Sequence, residues 1–200
     1  MESEIKLVVP DDYRVPDLHA LDDDLALTPL PDQLLDARYL DTASGTLLSS
    51  GATLRRRTGE GPTRWTLKLP TGPPQGDLLQ RSELEVIDEG HEVPAALLAA
   101  AVRFVGTTAL VEVAHLHSER RRWLLTSRGV TVGELADDSV RGECPGRRPV
   151  SFREIELEVG SGAPDAVVSF VHDALRRAGA ARSEPMSKLD RVLRLATEAG

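Results

Sequence analysis

Charged side chains alternate with small or apolar residues in the first stretch of the chain, Glu2-Ser3-Glu4-Ile5-Lys6. If this stretch is a β-strand, the two-residue period of its side chains places Glu2, Glu4 and Lys6 on one face. The two carboxylates then lie roughly 7 Å apart, and at an effective dielectric of about 20 their repulsion is on the order of 2 kcal/mol. An exposed strand edge tolerates such a pair, whereas an enclosed strand needs a cation between the two groups. The pentapeptide alone leaves both interpretations open.

The same alternation recurs along the chain, with charges of one sign grouped on single strands. The acidic and basic repeats are Glu154, Glu156 and Glu158, then Arg55 with Arg57, and Arg120 with Arg122. Carboxylates hold hard divalent cations, and arginine side chains bind phosphate oxygens with a fork of donors. Such a set suits a polyanion that a divalent metal ion bridges to the protein.

The elements that would position these side chains are mostly strands. Alternating patterns predict about eight of them, and their short Gly- and Pro-containing connections favour antiparallel pairing. We predict a strand at Leu34–Leu40 after an acidic, Pro-containing loop at 22–32, and a turn of the chain at Asp137–Val140. Helices are predicted at about 15–21, 94–104, 164–178 and 187–195.

Each predicted strand has one apolar and one ionic face, and two architectures accommodate this pattern. A sheet needs only one covered face to form a core, so an open sheet could lie on helices with its charged face in water. Alternatively, the sheet closes into a barrel and encloses the charges. The pattern alone leaves both architectures open.

Composition limits the classes of function. The 200 residues are 40% hydrophobic and 28% charged, which is enough for one domain with a sizeable core. The net charge of −8 argues against non-specific binding to nucleic acid or anionic membranes, and an aromatic content of 4% leaves few rings for stacking on bases. The single cysteine, Cys144, excludes an internal disulfide. We find no signal peptide and no apolar run near 18 residues, so we expect a cytoplasmic protein.

The motifs, taken in series, resemble the CYTH domain, also called the triphosphate tunnel metalloenzyme family. The family's ExExK signature matches residues 2–6, and the resemblance covers essentially the whole chain, so we expect a single CYTH domain at 1–200. It implies an α+β, mainly β fold, in which a closed eight-stranded antiparallel β-barrel forms a tunnel with flanking helices. The other matching stretches are Tyr39–Thr42, Thr53–Arg57, Leu67–Pro70, Arg81–Glu85, Glu119–Trp123, Asp138–Val140, Glu154–Glu158 and Ser187–Leu189.

Carried over residue by residue, the resemblance implies roles for the charged side chains. The implied ligands of a bound Mg²⁺ or Mn²⁺ are Glu2, Glu4, Glu156 and Glu158, with Asp138 and Glu154 as further candidates. The implied triphosphate-binding residues are Lys6, Arg55, Arg57, Lys68, Arg81, Arg120, Arg122 and Lys188. The implied catalytic residues are Lys6, Glu156 and Glu158, and Glu83 and Glu85 match positions inside the tunnel.

Two histidines, His115 and His117, depart from the family's pattern, in which arginine is common at these positions. Neutral imidazoles there would weaken a positively charged wall at neutral pH. Their i, i+2 spacing could suggest a transition-metal site, but no third soft ligand lies nearby in the sequence. We interpret them as ordinary tunnel or surface histidines.

The resemblance implies metal-dependent hydrolysis of a triphosphate, most simply inorganic tripolyphosphate, inside the tunnel. Alternatives within the family are a class IV-type adenylate cyclase and a thiamine triphosphatase, although no aromatic shelf for a ring is evident. A third alternative is a non-catalytic polyphosphate-binding module, but both acidic sets are intact and favour catalysis.

The expected partner is a small anionic substrate, a triphosphate or polyphosphate, with no nucleic acid and no membrane. A homodimer is left open, and so is association with a CHAD domain. CHAD domains are helical, are associated with polyphosphate and often follow CYTH domains, but none is recognised within the 200 residues.

Overall fold

The structure, a computed structural model, describes residues 2–70, 78–182 and 186–199, with side chains described over 4–70, 82–181 and 186–199. These residues form nine strands and four helices. The strands are β1 (Glu2–Val9), β2 (Leu25–Asp41), β3 (Thr53–Thr58), β4 (Arg64–Pro70), β5 (Leu78–Ile87), β6 (Val111–Ser127), β7 (Val130–Glu143), β8 (Val150–Val159) and β9 (Ala181–Arg182). The helices are α1 (Thr46–Ser49), α2 (Ala95–Val105), α3 (Asp165–Arg177) and α4 (Lys188–Glu198).

One antiparallel sheet contains all of these strands, in the order β5-β4-β3-β2-β6-β7-β8-β1-β9. Strand β1 pairs with β8 along one edge. Along its other edge, residues 2–5 pair with β5, and residues 7 and 8 pair with the two-residue β9. The predicted mainly antiparallel architecture, with eight main strands and flanking helices, is therefore confirmed. Closure of the sheet into a barrel stays a prediction.

Alternation along the strands gives the sheet one apolar face, which helices cover. Ile155 and Leu157 of β8 are buried in one cluster with Val171 and Leu175 of α3. Helix α2 covers β3 and β4 in a second cluster that contains the fully buried Trp65. Burial of a large apolar side chain stabilises the fold by roughly 1.5–3 kcal/mol, so these clusters fix which face of each strand carries the charged residues.

Helix α4 packs differently, against the ionic side of the sheet at one end. Its Leu189 and Val192 are buried in a cluster with Ala37 and Ala114 of β2 and β6. Gly142 of β7 leaves room for the helix, because a Cβ atom there would lie only 2.5 Å from a methyl carbon of Val192. Small residues at this end therefore allow α4 to approach the sheet and bring its first residue, Lys188, towards the ionic face.

Strand β2 is longer than predicted. It includes most of the segment predicted as a loop at 22–32, and a register shift between Leu30 and Gln33 interrupts its pairing with β6. Pro31 lies within this shift, where a residue without a backbone N–H donor is tolerated. The loop prediction is wrong because the prolines do not end the strand here and only perturb its pairing with β6.

The predicted turn at Asp137–Val140 is also wrong, because β7 runs through it without interruption. Consecutive aspartates favour turns, but each carboxylate here is held by an arginine across the sheet. Asp137 accepts hydrogen bonds from Arg153, and Asp138 accepts them from Arg120. The helix predicted at about 15–21 is absent from the described residues, which form turns there. No described helix is both long enough and apolar enough to cross a membrane.

Candidate functional site

The ionic face of the sheet lines a cavity of about 440 Å³. Because side chains alternate along the strands, residues that are two apart on a strand enter the same cavity. The predicted site residues that line it are Glu4, Lys6, Arg55, Arg57, Lys68, Glu83, Glu85, Arg120, Arg122, Glu156, Glu158 and Lys188. The side chains of Glu2 and Arg81 lie outside the described residues, although the backbone register places these two residues opposite each other on β1 and β5.

At the α4 end of the cavity, the ammonium group of Lys188 lies among three carboxylates. Its Nζ atom is 2.8 Å from Asp138 Oδ2, 2.7 Å from Glu154 Oε1 and 2.6 Å from Glu156 Oε1. Burial acts to lower the pKa of Lys188, but the carboxylates outweigh it and hold the pKa above its ordinary value. Lys188 is therefore charged and is the central counter-ion of this acidic cluster.

Two more cations enter the cluster from the strands. Lys6 pairs with Glu156 and lies 3.4 Å from Glu4. Arg120 donates two hydrogen bonds to Asp138, from Nε at 2.7 Å and from a terminal nitrogen at 2.6 Å, and it also pairs with Glu156. Burial acts to raise the pKa of Glu156, but Lys188, Lys6 and Arg120 hold it well below its usual range. Glu156 is thus ionised at neutral pH.

The acidic cluster has the chemistry of a site for a hard divalent cation. One oxygen each from Asp138, Glu154 and Glu156 lie within 4.8 Å of one another. Oxygen-only donor sets suit Mg²⁺, Mn²⁺ and Ca²⁺. Glu4 lies directly across from Glu158 in the register of β1 and β8, and Lys6 lies across from Glu156. The chain therefore brings the predicted carboxylates of its two ends together on adjacent strands.

A second region of the cavity is rich in arginine. The Nε atoms of Arg55, Arg57 and Arg64 are buried and have no hydrogen-bond partner among the described residues. Burial and the nearby Arg55 guanidinium lower the pKa of Arg57 to about 10. A buried donor without an acceptor costs about 1–3 kcal/mol, and the lowered pKa reflects first burial of the Arg57 guanidinium and then nearby positive charge. Both observations favour an anionic ligand beside these residues.

Comparison with known families agrees with this geometry. Residues 1–193 match the family model described as the CYTH domain. The chain belongs to the CYTH domain family. Two uncharacterized proteins of Mycobacterium tuberculosis, MT2285 of strain CDC 1551 and Rv2226 of strain H37Rv, are 33% identical to it over 178 residues. The match covers 82% of this chain but 34% of each relative, so this CYTH chain spans about a third of their length.

Solved structures share the fold of this CYTH chain. HpAC1 of Hippeastrum, a proposed adenylyl cyclase described as having a dominant triphosphatase activity, superposes with a TM-score of 0.66 at 22% identity. That match covers 97% of this chain and 96% of the other. A proposed adenylate cyclase of Bacillus halodurans gives a TM-score of 0.63 at 22% identity, with 96% of each chain covered.

Several residues that line the CYTH cavity were not among the predicted site residues. Arg64 alternates with Thr66 and Lys68 on β4, so the period-two pattern contained the signal for it. Glu134 accepts two hydrogen bonds from Arg122, at 2.6 and 2.9 Å. Glu60, in the turn after β3, pairs with Arg57, and no sequence signal pointed to it.

The histidines at 115 and 117 lie on the face of β6 opposite the cavity. Leu116, Ser118 and Arg120 line the cavity from the same strand. Because side chains alternate along a strand, the odd-numbered residues of this stretch point away from the cavity. These imidazoles therefore do not weaken a positively charged wall, and their interpretation as surface histidines fits the structure.

Proposed function

We propose that this CYTH domain hydrolyses a triphosphate, in the first instance inorganic tripolyphosphate, with Mg²⁺ or Mn²⁺ bound in the cavity. The observation that carries the proposal is the set of buried Nε donors on Arg55, Arg57 and Arg64, which lack acceptors among the described residues. They lie in the same cavity as the acidic cluster around Glu156. A chain of phosphates can use the arginine donors at one end and a metal ion held by carboxylates at the other.

We also infer that the sheet closes into a tunnel. Strand β5 begins the strand order, and its residues 78–81 pair with residues 2–5 of β1 near the opposite end of that order. Enclosure matters for the chemistry, because excluding bulk water lowers the effective dielectric and strengthens each ionic contact with the substrate.

The carboxylates that would hold the metal are Glu4, Glu156 and Glu158, with Asp138 and Glu154 alongside and Glu2 as the further family candidate. A bound divalent cation would supply charge neutralisation and an activated water at neutral pH. Glu156 fits this role because its lowered pKa keeps it ionised.

The cationic residues would bind and orient the substrate. Arg55, Arg57 and Arg64 would each direct a guanidinium group at phosphate oxygens, which places fixed positive charge where negative charge spreads in the transferred group. Arg81, Lys68, Arg120 and Arg122 are further candidates from the family pattern. Lys6, whose pKa is raised because Glu156 and Glu4 outweigh the effect of burial, would stay protonated beside Glu156 and hold its carboxylate in place.

The proposal is tested by measuring phosphate release from tripolyphosphate with Mg²⁺ or Mn²⁺. We compare the native chain with Glu156→Gln and Arg57→Met, and with Arg38→Met as a control, because Arg38 is exposed and pairs with Glu112 away from the cavity. Loss of one electrostatic contact to a transition state costs about 10²–10³ in rate, so both cavity variants should fall by at least about 100-fold. The proposal would be overturned if the native chain released phosphate no faster than the Glu156→Gln variant does.

The same preparation separates the alternatives. Tyr39 is the one aromatic side chain among the described lining residues, and its hydroxyl is hydrogen bonded to Arg55. No second ring is available there to sandwich adenine or thiamine, so we expect little cyclic AMP from ATP and no preference for thiamine triphosphate. Tight polyphosphate binding without phosphate release would instead support a binding module. The homodimer, the CHAD association and the extent of the domain over 1–200 stay predictions.

A further inference from the structure

Two imidazoles and a carboxylate converge on the face of the sheet that points away from the cavity. His115 and His117 are two residues apart on β6 and therefore share one face. Asp36 of β2 lies directly across from His117 in the strand register. No local sequence pattern points to this third residue, because 79 positions separate Asp36 from His115.

The three side chains are in direct contact. Asp36 Oδ2 lies 2.8 Å from His115 Nε2 and 3.1 Å from His117 Nδ1. The two imidazole ring centroids are 4.3 Å apart. One potential ligand atom from each of the three residues lies within 4.8 Å of the other two. The side chains of His115, Asp36 and His117 are 19%, 38% and 49% exposed, so an ion can reach them from solvent.

We propose that Asp36, His115 and His117 form a site for a divalent transition metal of the Zn²⁺ class, separate from the cavity. Two imidazole nitrogens and one carboxylate oxygen are the donor types that Zn²⁺ and its neighbours prefer, whereas Mg²⁺ prefers oxygen alone. Tetrahedral ligands at about 2.1 Å from a zinc ion are about 3.4 Å from one another. The two contacts of Asp36 therefore need only a small widening, and three protein ligands leave a fourth position for water.

Two cations lie beside the cluster, and each has a carboxylate partner of its own. Arg38 of β2 lies across from His115, and Arg141 of β7 lies across from His117. Each guanidinium is already paired with a carboxylate, Arg38 with Glu112 at 2.9 Å and Arg141 with Glu143 at 3.1 Å. The charge of Asp36 is thus available to balance a bound ion.

Binding would join β2 to β6, the two 17-residue strands of the sheet. A ligand that binds only the folded chain raises stability by mass action. Zn²⁺ should therefore raise the thermal unfolding midpoint of this protein through a site that the substrate does not occupy.

The test is a titration of the chelator-treated chain with Co²⁺, whose visible absorption reports nitrogen and oxygen ligation, followed by competition with Zn²⁺. The variants are His117→Ala and Asp36→Asn, and the control is His91→Ala, because His91 is exposed and away from the cluster. Even outer hydrogen-bond partners of a metal ligand contribute about 10–100-fold to affinity. We therefore expect the affinity for Co²⁺ to fall by more than about 10-fold in both variants and to stay unchanged in the control.

Two further measurements keep the test decisive. The unfolding midpoint of each variant without metal shows whether it is folded, and Asp36→Asn preserves the side-chain shape if His117→Ala does not fold. The titration is run in excess Mg²⁺, which fills the proposed cavity site and should not displace Co²⁺ from the two imidazoles. The proposal would be overturned if Mg²⁺ displaced the bound Co²⁺, or if a folded His117→Ala chain bound Co²⁺ with native affinity. An equal loss of Co²⁺ affinity in His91→Ala would also overturn it.

Discussion

Replacing Lys188 with methionine removes the central cation of the acidic cluster and keeps most of the side-chain volume. Breaking a buried ion pair costs about 3–5 kcal/mol, because a charge is left buried without its partner. Glu156 keeps Lys6 and Arg120, and Glu154 keeps Arg191 at 3.4 Å. We therefore expect the lower end of that range, about 3 kcal/mol. At about 2–4 °C per kcal/mol for a chain of this length, the unfolding midpoint should fall by about 6–12 °C.

A divalent cation should reverse much of this loss. In the native chain, one oxygen each from Asp138, Glu154 and Glu156 lie within 4.8 Å of one another. Lys6, Arg120 and Arg191 still pair with these carboxylates in the variant and should keep them ionised. Mn²⁺ no longer competes with Lys188 there, so it should raise the midpoint of the Lys188→Met variant more than that of the native chain. Differential scanning calorimetry with and without Mn²⁺ measures both effects.

The matched control is Arg194→Met, a change of the same kind on the solvent side of α4. Arg194 is 54% exposed and pairs with Glu198 within the helix, so its loss should change stability by no more than about 0.5 kcal/mol. A Lys188→Met variant that unfolds at the native midpoint would contradict this prediction. So would an equal rise in the unfolding midpoints of the variant and the native chain on addition of Mn²⁺.

Two further predictions concern packing and pH. Gly142→Ala should destabilise the chain by about 1–3 kcal/mol in urea unfolding, because the new methyl group meets the stiff side chain of Val192 at 2.5 Å. The pKa values of Glu156 and Asp138 are lowered, so their stabilising effect is present above about pH 4.5 and is lost as the pH falls through the folded-state values. The pKa of Lys6 is raised, so its effect is present below pH 10.5 and is lost as the pH rises further. Unfolding midpoints across pH should therefore show a plateau between these limits, and a midpoint that changes steeply at pH 7 would contradict this.

The sequence predicted the faces of the strands well because side-chain alternation is a local property. The period of two placed Arg55 and Arg57 in the cavity without knowledge of any partner strand. Features that depend on a residue far away in the sequence could not be predicted. Consecutive aspartates predict a turn at Asp138, because the local sequence does not show that this carboxylate accepts hydrogen bonds from Arg120 on the neighbouring strand. Glu60 was missed for another reason: it lies three residues after Arg57 in the turn that follows β3 and pairs with it there, and a turn has no strand period from which its side-chain direction can be predicted.

The arrangement of cations around Glu156 explains how a cluster of carboxylates stays ionised in a buried cavity. Isolated buried carboxylates would take up protons, since moving a charge out of water is costly. Here Lys6 comes from the first strand and Lys188 from the last helix, and both reach the same carboxylate. Their charges keep Glu156 ionised, and the single charge of Lys188 is one that a divalent ion can replace with two. The lysines therefore stabilise the clustered carboxylates, and Lys188 sets an electrostatic cost for a metal ion at the proposed site, which is why metal affinity should increase when Lys188 is removed.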